Sequence, residues 1–267
     1  MYTQLEQRGM AEPPVNVSTL RRMKAEGEPI ACLTAYDASY AVLVDAAGTD
    51  LVLIGDSLGM VIQGHDTTVP VKVDDIIYHG RNVARGLRRA FLVADMPFMS
   101  YTEPAQALDN AVRLMQEGGA MMVKLEGGDD QVEIVEHLAR HDIPVCAHLG
   151  LKPQSVHKIG GFKVQGRDPG KAQEMCDAAR RLQDAGADIV LLECVPNEVG
   201  AMIRDALEAG SRVRALSYWA RASPISPRWA CRAPRTRRDS ARSRFTRWTW
   251  RNSSTAGSSR ARSAGSS

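Results

Sequence analysis

The fold is decided by the stretch Leu51-Val-Leu-Ile-Gly-Asp-Ser-Leu-Gly-Met60, which continues to Pro70. Its first four residues are apolar and rich in β-formers, and the run is too short for a helix, so it predicts a buried strand. Asp56 and Ser57 follow at the carboxyl end of that strand, where α/β sheets and barrels carry their ligands. Taken alone, either residue is equally well explained as the cap of a helix that begins there.

The same design is repeated along the chain. Apolar runs typical of strands lie at 30–35, 51–54, 91–94, 121–125, 145–147 and 189–192. Segments with a helical pattern lie between and after them, at 39–47, 74–89, 104–117, 130–140, 169–185 and 198–208. This alternation predicts a parallel sheet with helical crossovers. The predicted fold is an α/β protein of the (β/α)₈ TIM barrel type, with about six βα units recognisable, and 267 residues suit one such barrel.

A polar or charged side chain follows each predicted strand. These residues are Tyr36 and Asp37, Asp56 and Ser57, Asp95, Lys124 with Glu126, His148, and Glu193. A single residue of this kind is explained as the cap of a helix. Six strands that each deliver polar groups to the same rim predict a site at the mouth of a barrel. Lys124 and Glu126 are two residues apart and share a face of their strand; a purely structural ion pair is the alternative.

Three carboxylates, those of Asp56, Asp95 and Glu126, come from neighbouring strands. Clustered carboxylates repel one another unless they are protonated or bridged by a cation. Hard oxygen ligands without a Cys or His cluster favour Mg²⁺. Such an ion can chelate a 2-keto acid and stabilise its enolate, and Lys124 can balance the substrate carboxylate.

Glu193 is the candidate general base. Two leucines, a cysteine and a valine flank it, and desolvation among such neighbours makes a carboxylate more basic. The alternative is a buried carboxylate bonded to the backbone. His148 is more typical of a satisfied histidine at the edge of the core than of a ligand.

Several functional classes find no support in the sequence. The five cysteines are odd in number and include no C-x-x-C pair, which indicates a reduced, cytoplasmic protein without a zinc site. No apolar run is long enough to span a membrane, and no secretory signal is recognisable. Neither a P-loop nor a dinucleotide-binding glycine motif is present, so nucleotide binding is not indicated.

Charge divides the chain into unlike parts. Residues 211–267 carry fourteen arginines against one acid, a net charge of +13, so residues 1–210 carry −10. We expect a loose arm over 1–17, an incomplete barrel domain over 18–210, and a disordered Arg/Ser/Trp-rich tail over 211–267. A basic tail can bind nucleic acid, but the mixture of Arg, Ser, Ala, Pro and Trp favours out-of-frame translation of a GC-rich gene.

Eight motifs, in order, resemble those of the ketopantoate hydroxymethyltransferase family (3-methyl-2-oxobutanoate hydroxymethyltransferases) over residues 18–210. They are Leu33-Thr-Ala-Tyr-Asp37, Gly55-Asp-Ser-Leu-Gly-Met60, Gln63-Gly-His-Asp66, Ala94-Asp-Met-Pro-Phe-Met99, Val123-Lys-Leu-Glu-Gly-Gly128, His148-Leu-Gly-Leu-Lys-Pro-Gln-Ser155, Gly161-Phe-Lys-Val-Gln-Gly166 and Leu192-Glu-Cys-Val-Pro196. The resemblance implies a (β/α)₈ barrel that assembles as a homo-oligomer, typically a decamer. It also implies transfer of a hydroxymethyl unit from 5,10-methylenetetrahydrofolate to 3-methyl-2-oxobutanoate, a step of pantothenate synthesis.

Matched position by position, Asp56, Asp95 and Glu126 resemble the family's Mg²⁺ ligands. The residues that resemble its keto-acid contacts are Asp56, Ser57, Asp95 and Lys124, and Glu193 resembles its proton acceptor. After about Gly210 the sequence departs from the family, whose seventh strand is glycine-rich. Two alternatives remain. One is an inactive, truncated barrel of the same family. The other is a Mg²⁺-dependent barrel of the phosphoenolpyruvate mutase/isocitrate lyase type, although the K-x-C-G-H-like loop of those lyases is missing here.

Overall fold

The computed structural model describes residues 13–208 and 214–218. Seven strands form one sheet in which each strand pairs in parallel with the next along the chain. The strands are β1 (Cys32–Thr34), β2 (Leu51–Ile54), β3 (Phe91–Asp95), β4 (Met122–Glu126), β5 (Val145–Gly150), β6 (Ile189–Glu193) and β7 (Arg214–Tyr218). The strands lie side by side in the same order as along the chain, which is the strand order of a (β/α) barrel. The predicted fold class is confirmed.

Helices connect the strands and cover the outer face of the sheet. They are α1 (Val17–Ala25), α2 (Ala38–Ala46), α3 (Leu58–Val61), α4 (Val73–Gly86), α5 (Pro104–Gln116), α6 (Val132–Arg140), α7 (Val156–Ile159), α8 (Pro169–Asp184) and α9 (Asn197–Glu208). All six helical segments predicted from the sequence are present. The short helices α3 and α7 were not predicted; they lie in the connections after β2 and β5. Among the described residues, none of these helices is long and apolar enough to cross a membrane.

Successive side chains of each strand point to opposite faces of the sheet, and this produces two apolar layers. The residues packed between sheet and helices are Val52, Ile54, Leu92, Ala94, Val123, Leu125, Val145, Ala147, Val190 and Leu192. The opposite faces of the strands supply the second layer, which includes Leu51, Phe91, Val93, Met122 and Ile189. Because side chains alternate every residue, the polar residues Asp95, Lys124, Glu126, His148 and Glu193 continue this inner layer toward the carboxyl ends of the strands.

The amino-terminal end of the inner layer is closed by residues that the sequence assigned to a loose arm. Val15 is buried and, with Leu20 of α1, packs against the inner apolar layer. The Val15 N–H donates to the carbonyl of Arg89 at 2.8 Å. Within the arm predicted over 1–17, burial of Val15 and one backbone hydrogen bond therefore attach residues 13–17 to the sheet. Residues 1–12 lie outside the described residues.

Strand β7 corrects the predicted end of the barrel. It lies beyond residue 210 and aligns with β6, Ile189 opposite Arg214 and Glu193 opposite Tyr218. The exposed edge of a strand offers unpaired backbone donors and acceptors to any extended segment, so backbone pairing outweighs the unusual composition here. Residues 214–218, which fall within the tail predicted over 211–267, form this strand. The remainder of that prediction lies outside the described residues.

Candidate active site

A cavity of about 270 Å³ opens at the carboxyl ends of the strands. Its lining combines charged groups from four strand ends with apolar groups from the loops. The lining residues are Thr34, Leu53, Gly55, Asp56, Ser57, Met60, Thr68, Asp95, Lys124, Glu126, Leu151, Pro153, Phe162, Leu191, Glu193 and Cys194. All six residues predicted for the site from the sequence line this one cavity.

Lys124 and Asp95 form a buried ion pair at the centre of the site. Lys124 Nζ donates to Asp95 Oδ1, and their side chains are only 6% and 5% exposed. The other oxygen of Asp95, Oδ2, accepts from the backbone N–H of Asp56 at 3.0 Å. Burial opposes the charge of Lys124, but the carboxylates of Asp95, Glu126 and Asp56 raise its pKa above the usual value. The neighbouring carboxylates therefore favour the ammonium form of Lys124.

Asp56 occupies the loop directly after β2 and is nearly inaccessible to solvent. Its Oδ2 accepts a hydrogen bond of 2.8 Å from the side-chain amide of Gln154. Burial, followed by the negative charge of Asp95, raises the pKa of Asp56 from 3.8 to about 8. Removal from water disfavours the ionised form of a carboxyl group, and a second carboxylate nearby disfavours it further. The carboxyl group of Asp56 is thus poised to gain or lose a proton near neutral pH.

His148 lies between two glutamates. Its Nδ1 is 3.5 Å from Glu126 Oε1, and its Nε2 is 3.3 Å from Glu193 Oε2. Neither ring nitrogen has well-formed hydrogen-bond geometry with a described residue, so these contacts act mainly through charge. Burial lowers the pKa of His148, but the two glutamates outweigh it and raise that pKa above the usual value. The predicted edge-of-core histidine is in fact enclosed by acids.

Asp37 caps a helix, as the capping alternative predicts, whereas Ser57 does not. Asp37 accepts the backbone N–H of Tyr40 at 2.8 Å and caps α2, so it is a structural residue. Ser57 makes no capping hydrogen bond to α3. Its hydroxyl instead shares a hydrogen bond of 2.7 Å with the hydroxyl of Tyr36. Ser57 thus remains available to a ligand in the cavity.

Gly150, at the end of β5, is packed against the backbone of Glu193. Its φ of +96° lies in the region that favours glycine, and a Cβ there would lie 2.2 Å from the Glu193 carbonyl oxygen. The next residue, Leu151, donates its N–H to that same oxygen at 2.8 Å. The close approach of β5 to β6 therefore fixes the backbone from which the Glu193 side chain enters the cavity.

The three carboxylates predicted as Mg²⁺ ligands are near one another but engaged by protein groups. Among the described residues, no three Asp, Glu, His or Cys side chains are arranged to hold a metal ion. Asp95 pairs with Lys124, Asp56 accepts from Gln154, and Glu126 accepts the Gln154 backbone N–H at 3.1 Å. The donor chemistry fits Mg²⁺, because carboxylate oxygens are the hard ligands that this ion accepts.

Two buried polar residues at the site were not predicted as functional. Gln154 belongs to the connection after β5, and Tyr101 to the connection after β3; both are more than 90% buried. Gln154 stands within a motif quoted above, but a glutamine in a loop carries no periodic signal. Its contact with Asp56 spans 98 residues of sequence, and no local pattern reveals such a contact.

The fold and the site together define an enzyme of the (β/α)-barrel class with acid–base groups at the carboxyl ends of its strands. The model of the ketopantoate hydroxymethyltransferase family matches residues 14–210. This chain belongs to that family, which is a family of transferases, and the resemblance seen in the motifs is confirmed.

Curated relatives agree with the family match. The chain is 60% identical over 193 residues to the 3-methyl-2-oxobutanoate hydroxymethyltransferase of Halorhodospira halophila, which covers 72% of this chain and 70% of the relative. It is 58% identical over 194 residues to the enzyme of that name from Nitrosococcus oceani, covering 73% and 74%. The matches thus cover most of the chain and more than two thirds of each relative.

Solved structures agree on the fold. A phosphonopyruvate hydrolase in complex with oxalate and Mg²⁺ aligns with a TM-score of 0.57 at 14% identity, covering 76% of this chain and 71% of that one. A 2,3-dimethylmalate lyase of the PEP mutase/isocitrate lyase superfamily aligns with a TM-score of 0.53 at 18% identity, covering 74% and 70%. At these identities the likeness concerns the fold alone.

Proposed function

We propose that this protein transfers a hydroxymethyl group from 5,10-methylenetetrahydrofolate to 3-methyl-2-oxobutanoate, giving 2-dehydropantoate for pantothenate synthesis. The proposal rests on the family match and on one observation: a single cavity holds both the buried ammonium of Lys124 and the carboxylate of Glu193. A small anionic substrate and a proton acceptor are both required by this reaction. The proposed setting is a cytoplasmic homo-oligomer.

Substrate binding is inferred from the charges of the cavity. A volume of about 270 Å³ suits a small organic acid. The Lys124 ammonium attracts the substrate carboxylate, and the Ser57 hydroxyl offers a further hydrogen bond. The single charge of Lys124 cannot offset the charges of Asp95, Glu126 and the substrate together. In the proposed enzyme Mg²⁺ is held by Asp56, Asp95 and Glu126, and when bound it polarises the keto group of the substrate.

Proton transfer is assigned to Glu193. Its side chain is 16% exposed, so it reaches the cavity while most of it is shielded from water. The carboxylate accepts the proton from C3 of the substrate, and the electron pair of that C–H bond forms the new carbon–carbon bond to the one-carbon unit. Both bonds between that unit and the folate nitrogens break, and a water molecule supplies the hydroxyl group of the product. The proton from C3 and the second proton of that water are taken up by the two folate nitrogens. His148 Nε2 lies 3.3 Å from Glu193 Oε2 and so contacts the carboxylate that accepts the proton.

One experiment tests the function and its rival together. The purified chain is incubated with 3-methyl-2-oxobutanoate, Mg²⁺ and 5,10-methylenetetrahydrofolate, and 2-dehydropantoate is followed by mass spectrometry. Parallel reactions contain 2,3-dimethylmalate or phosphonopyruvate, because the fold resembles lyases and hydrolases that act on them. We expect product only in the folate-dependent reaction. Cleavage of either alternative substrate, without folate-dependent product, would contradict the proposal.

A binding experiment tests whether the affinity for the keto acid depends on Mg²⁺. We expect the affinity for 3-methyl-2-oxobutanoate, measured by isothermal titration, to fall at least tenfold when Mg²⁺ is replaced by EDTA. Asp95→Asn should remove the Mg²⁺ effect, whereas Asp109→Asn, a matched change at an exposed position of α5, should leave it intact. Equal affinity with and without Mg²⁺ would show that the carboxylates serve another purpose.

A further inference from the structure

Gln154 joins three strand ends of the site through one side chain. It lies in the 3-10 turn Pro153–Ser155 after β5 and is 6% exposed. Its Nε2 donates to Asp56 Oδ2 at 2.8 Å and to the carbonyl of Met96 at 2.9 Å. Its Oε1 accepts from the hydroxyl of Tyr101 at 2.6 Å. Both amide hydrogens and the oxygen therefore have partners.

The direction of the amide is fixed by Tyr101. The backbone N–H of Glu126 donates to the Tyr101 oxygen at 3.2 Å, so the single hydroxyl hydrogen points elsewhere. It is directed at Gln154 Oε1, since the other acceptor, the Glu126 carbonyl, is 3.4 Å away. A flipped amide would set its oxygen against Asp56 Oδ2 and the Met96 carbonyl, which are both acceptors. Only one orientation satisfies every group.

The main chain of the same residue holds a second carboxylate. The Gln154 N–H donates to Glu126 Oε2 at 3.1 Å. One residue thus contacts both Asp56 and Glu126, and its neighbour Pro153 lines the cavity. Within the described part of the chain, no hydrogen bond engages the other oxygen of Asp56, Oδ1. The bond to Oδ2 therefore decides where Oδ1 points.

We propose that Gln154 is a positioning residue of this enzyme: its amide, itself held by Tyr101, orients the carboxylate of Asp56, and its backbone orients Glu126. The connection after β5 thereby sets the geometry of groups that belong to β2 and β4. This inference rests on the proposed function for its kinetic consequences, but the contact between Gln154 and Asp56 does not depend on it. The residue touches no reacting atom and acts through the carboxylates.

The kinetic test compares Gln154→Met with Gln173→Met, a matched change at an exposed glutamine of α8. We expect Gln154→Met to lower kcat about 10- to 100-fold, because small misplacements of site groups have effects of this size. The KM for the keto acid should change far less, and Gln173→Met should change neither. A residue that merely supports the fold would reduce the amount of active enzyme without altering how kcat depends on Mg²⁺ concentration. A kcat within twofold of the unmodified chain would overturn the proposal.

Tyr101→Phe provides the second variant, since it removes the hydroxyl that directs the amide and leaves Asp56 and Gln154 in place. Residues of one network show non-additive effects, so the double variant Tyr101→Phe/Gln154→Met should be no slower than Gln154→Met alone. If the losses in kcat of the two single variants multiply in the double variant, Tyr101 and Gln154 do not act as one network.

A third measurement separates this inference from the proposed function. If the unmodified chain forms no 2-dehydropantoate, the proposed function fails, and the urea midpoints of Gln154→Met, Asp56→Asn and the double variant decide the inference alone. Non-additive midpoint changes support the contact, whereas additive changes overturn it.

Discussion

His148 Nε2 lies 3.3 Å from Glu193 Oε2, although the two residues belong to different strands. The pair links the proposed proton acceptor to a fully buried imidazole, which is itself 3.5 Å from Glu126. Negative charge on the two glutamates favours the imidazolium form of His148 and raises its pKa. The imidazole on β5 thus bridges the proposed base on β6 and Glu126 on β4.

Removal of the proposed base should stop exchange of the substrate proton. We predict that Glu193→Gln lowers the rate of C3 hydrogen exchange in D₂O by about 10²- to 10⁴-fold, with keto-acid binding retained, because glutamine keeps the shape but accepts no proton. Exchange is followed by NMR without folate. Glu198→Gln, at an exposed position of α9, is the matched control and should exchange normally. Unchanged exchange in Glu193→Gln would move the role to His148.

Loss of the buried ammonium should destabilise the protein. Lys124→Met leaves Asp95 buried beside Asp56 without its partner, and breaking a buried pair costs about 3–5 kcal/mol. Urea unfolding measures this loss. The double variant Lys124→Met/Asp95→Asn should recover part of it, because the unpaired charge is also removed. Lys171→Met, at an exposed site, should be neutral. If the double variant is no more stable than Lys124→Met, the pair is not the source of the effect.

Stability should fall as the pH rises through neutrality. The pKa of Asp56 is raised from 3.8 to about 8 in the folded protein. Between about pH 4 and pH 8 the native chain holds a proton that the unfolded chain has released, so stability decreases with rising pH. Each pH unit in this window costs about 1.4 kcal/mol, and the loss ends above pH 8.

The measurement is a series of urea curves between pH 5 and pH 9. Asp56→Asn cannot ionise and should flatten the decline, whereas Asp109→Asn, exposed on α5, should retain it. Saturating Mg²⁺ should also reduce the decline if the ion is held at Asp56. Identical pH dependence in Asp56→Asn and the unmodified chain would contradict this assignment.

The last fifth of the chain should limit activity. In the described sheet β1 pairs with β2 and β7 pairs with β6, so β1 and β7 are its two edges, and open edges promote aggregation. Residues 211–267 carry a net charge of +13 and lack the family's glycine-rich pattern. We predict that this segment lowers the solubility and the turnover of the chain, compared with a chain that carries the carboxyl-terminal segment of a relative.

A chimera tests this prediction. Residues 211–267 are replaced by the carboxyl-terminal segment of the Halorhodospira halophila relative, and both proteins are compared by size-exclusion chromatography and folate-dependent turnover. The chimera should be a soluble oligomer with at least tenfold higher turnover. Equal solubility and equal turnover of the unmodified chain and the chimera would show that its own last segment suffices.

Strand ends were predictable because their pattern is local. Asp95, Lys124, Glu126 and Glu193 follow from short apolar runs and from the two-residue period of a strand. The positions of their side chains relative to one another were not predictable. Glu126, for example, lies beside His148 and the backbone of Gln154, and neither contact follows from the sequence pattern.

Contacts made by loops and edges escaped prediction for a different reason. Gln154 reaches Asp56 across 98 residues, and the pairing of β7 depends on the edge that β6 presents rather than on side-chain pattern. Asp37 shows the opposite error: it follows a strand as Asp56 does, yet it is the cap of α2. Sequence alone gives both residues the same description, and only the three-dimensional arrangement separates them.

Gly150 restricts how this site can change. Any side chain at that position would meet the Glu193 carbonyl oxygen at 2.2 Å, so every substitution there displaces the backbone of the proposed base. New substrate preferences must instead arise from positions whose side chains border the cavity without supporting Glu193, such as Met60 and Phe162. Both are exposed residues of connecting segments. In a mutational library, diversity should therefore survive at 60 and 162 and vanish at 150.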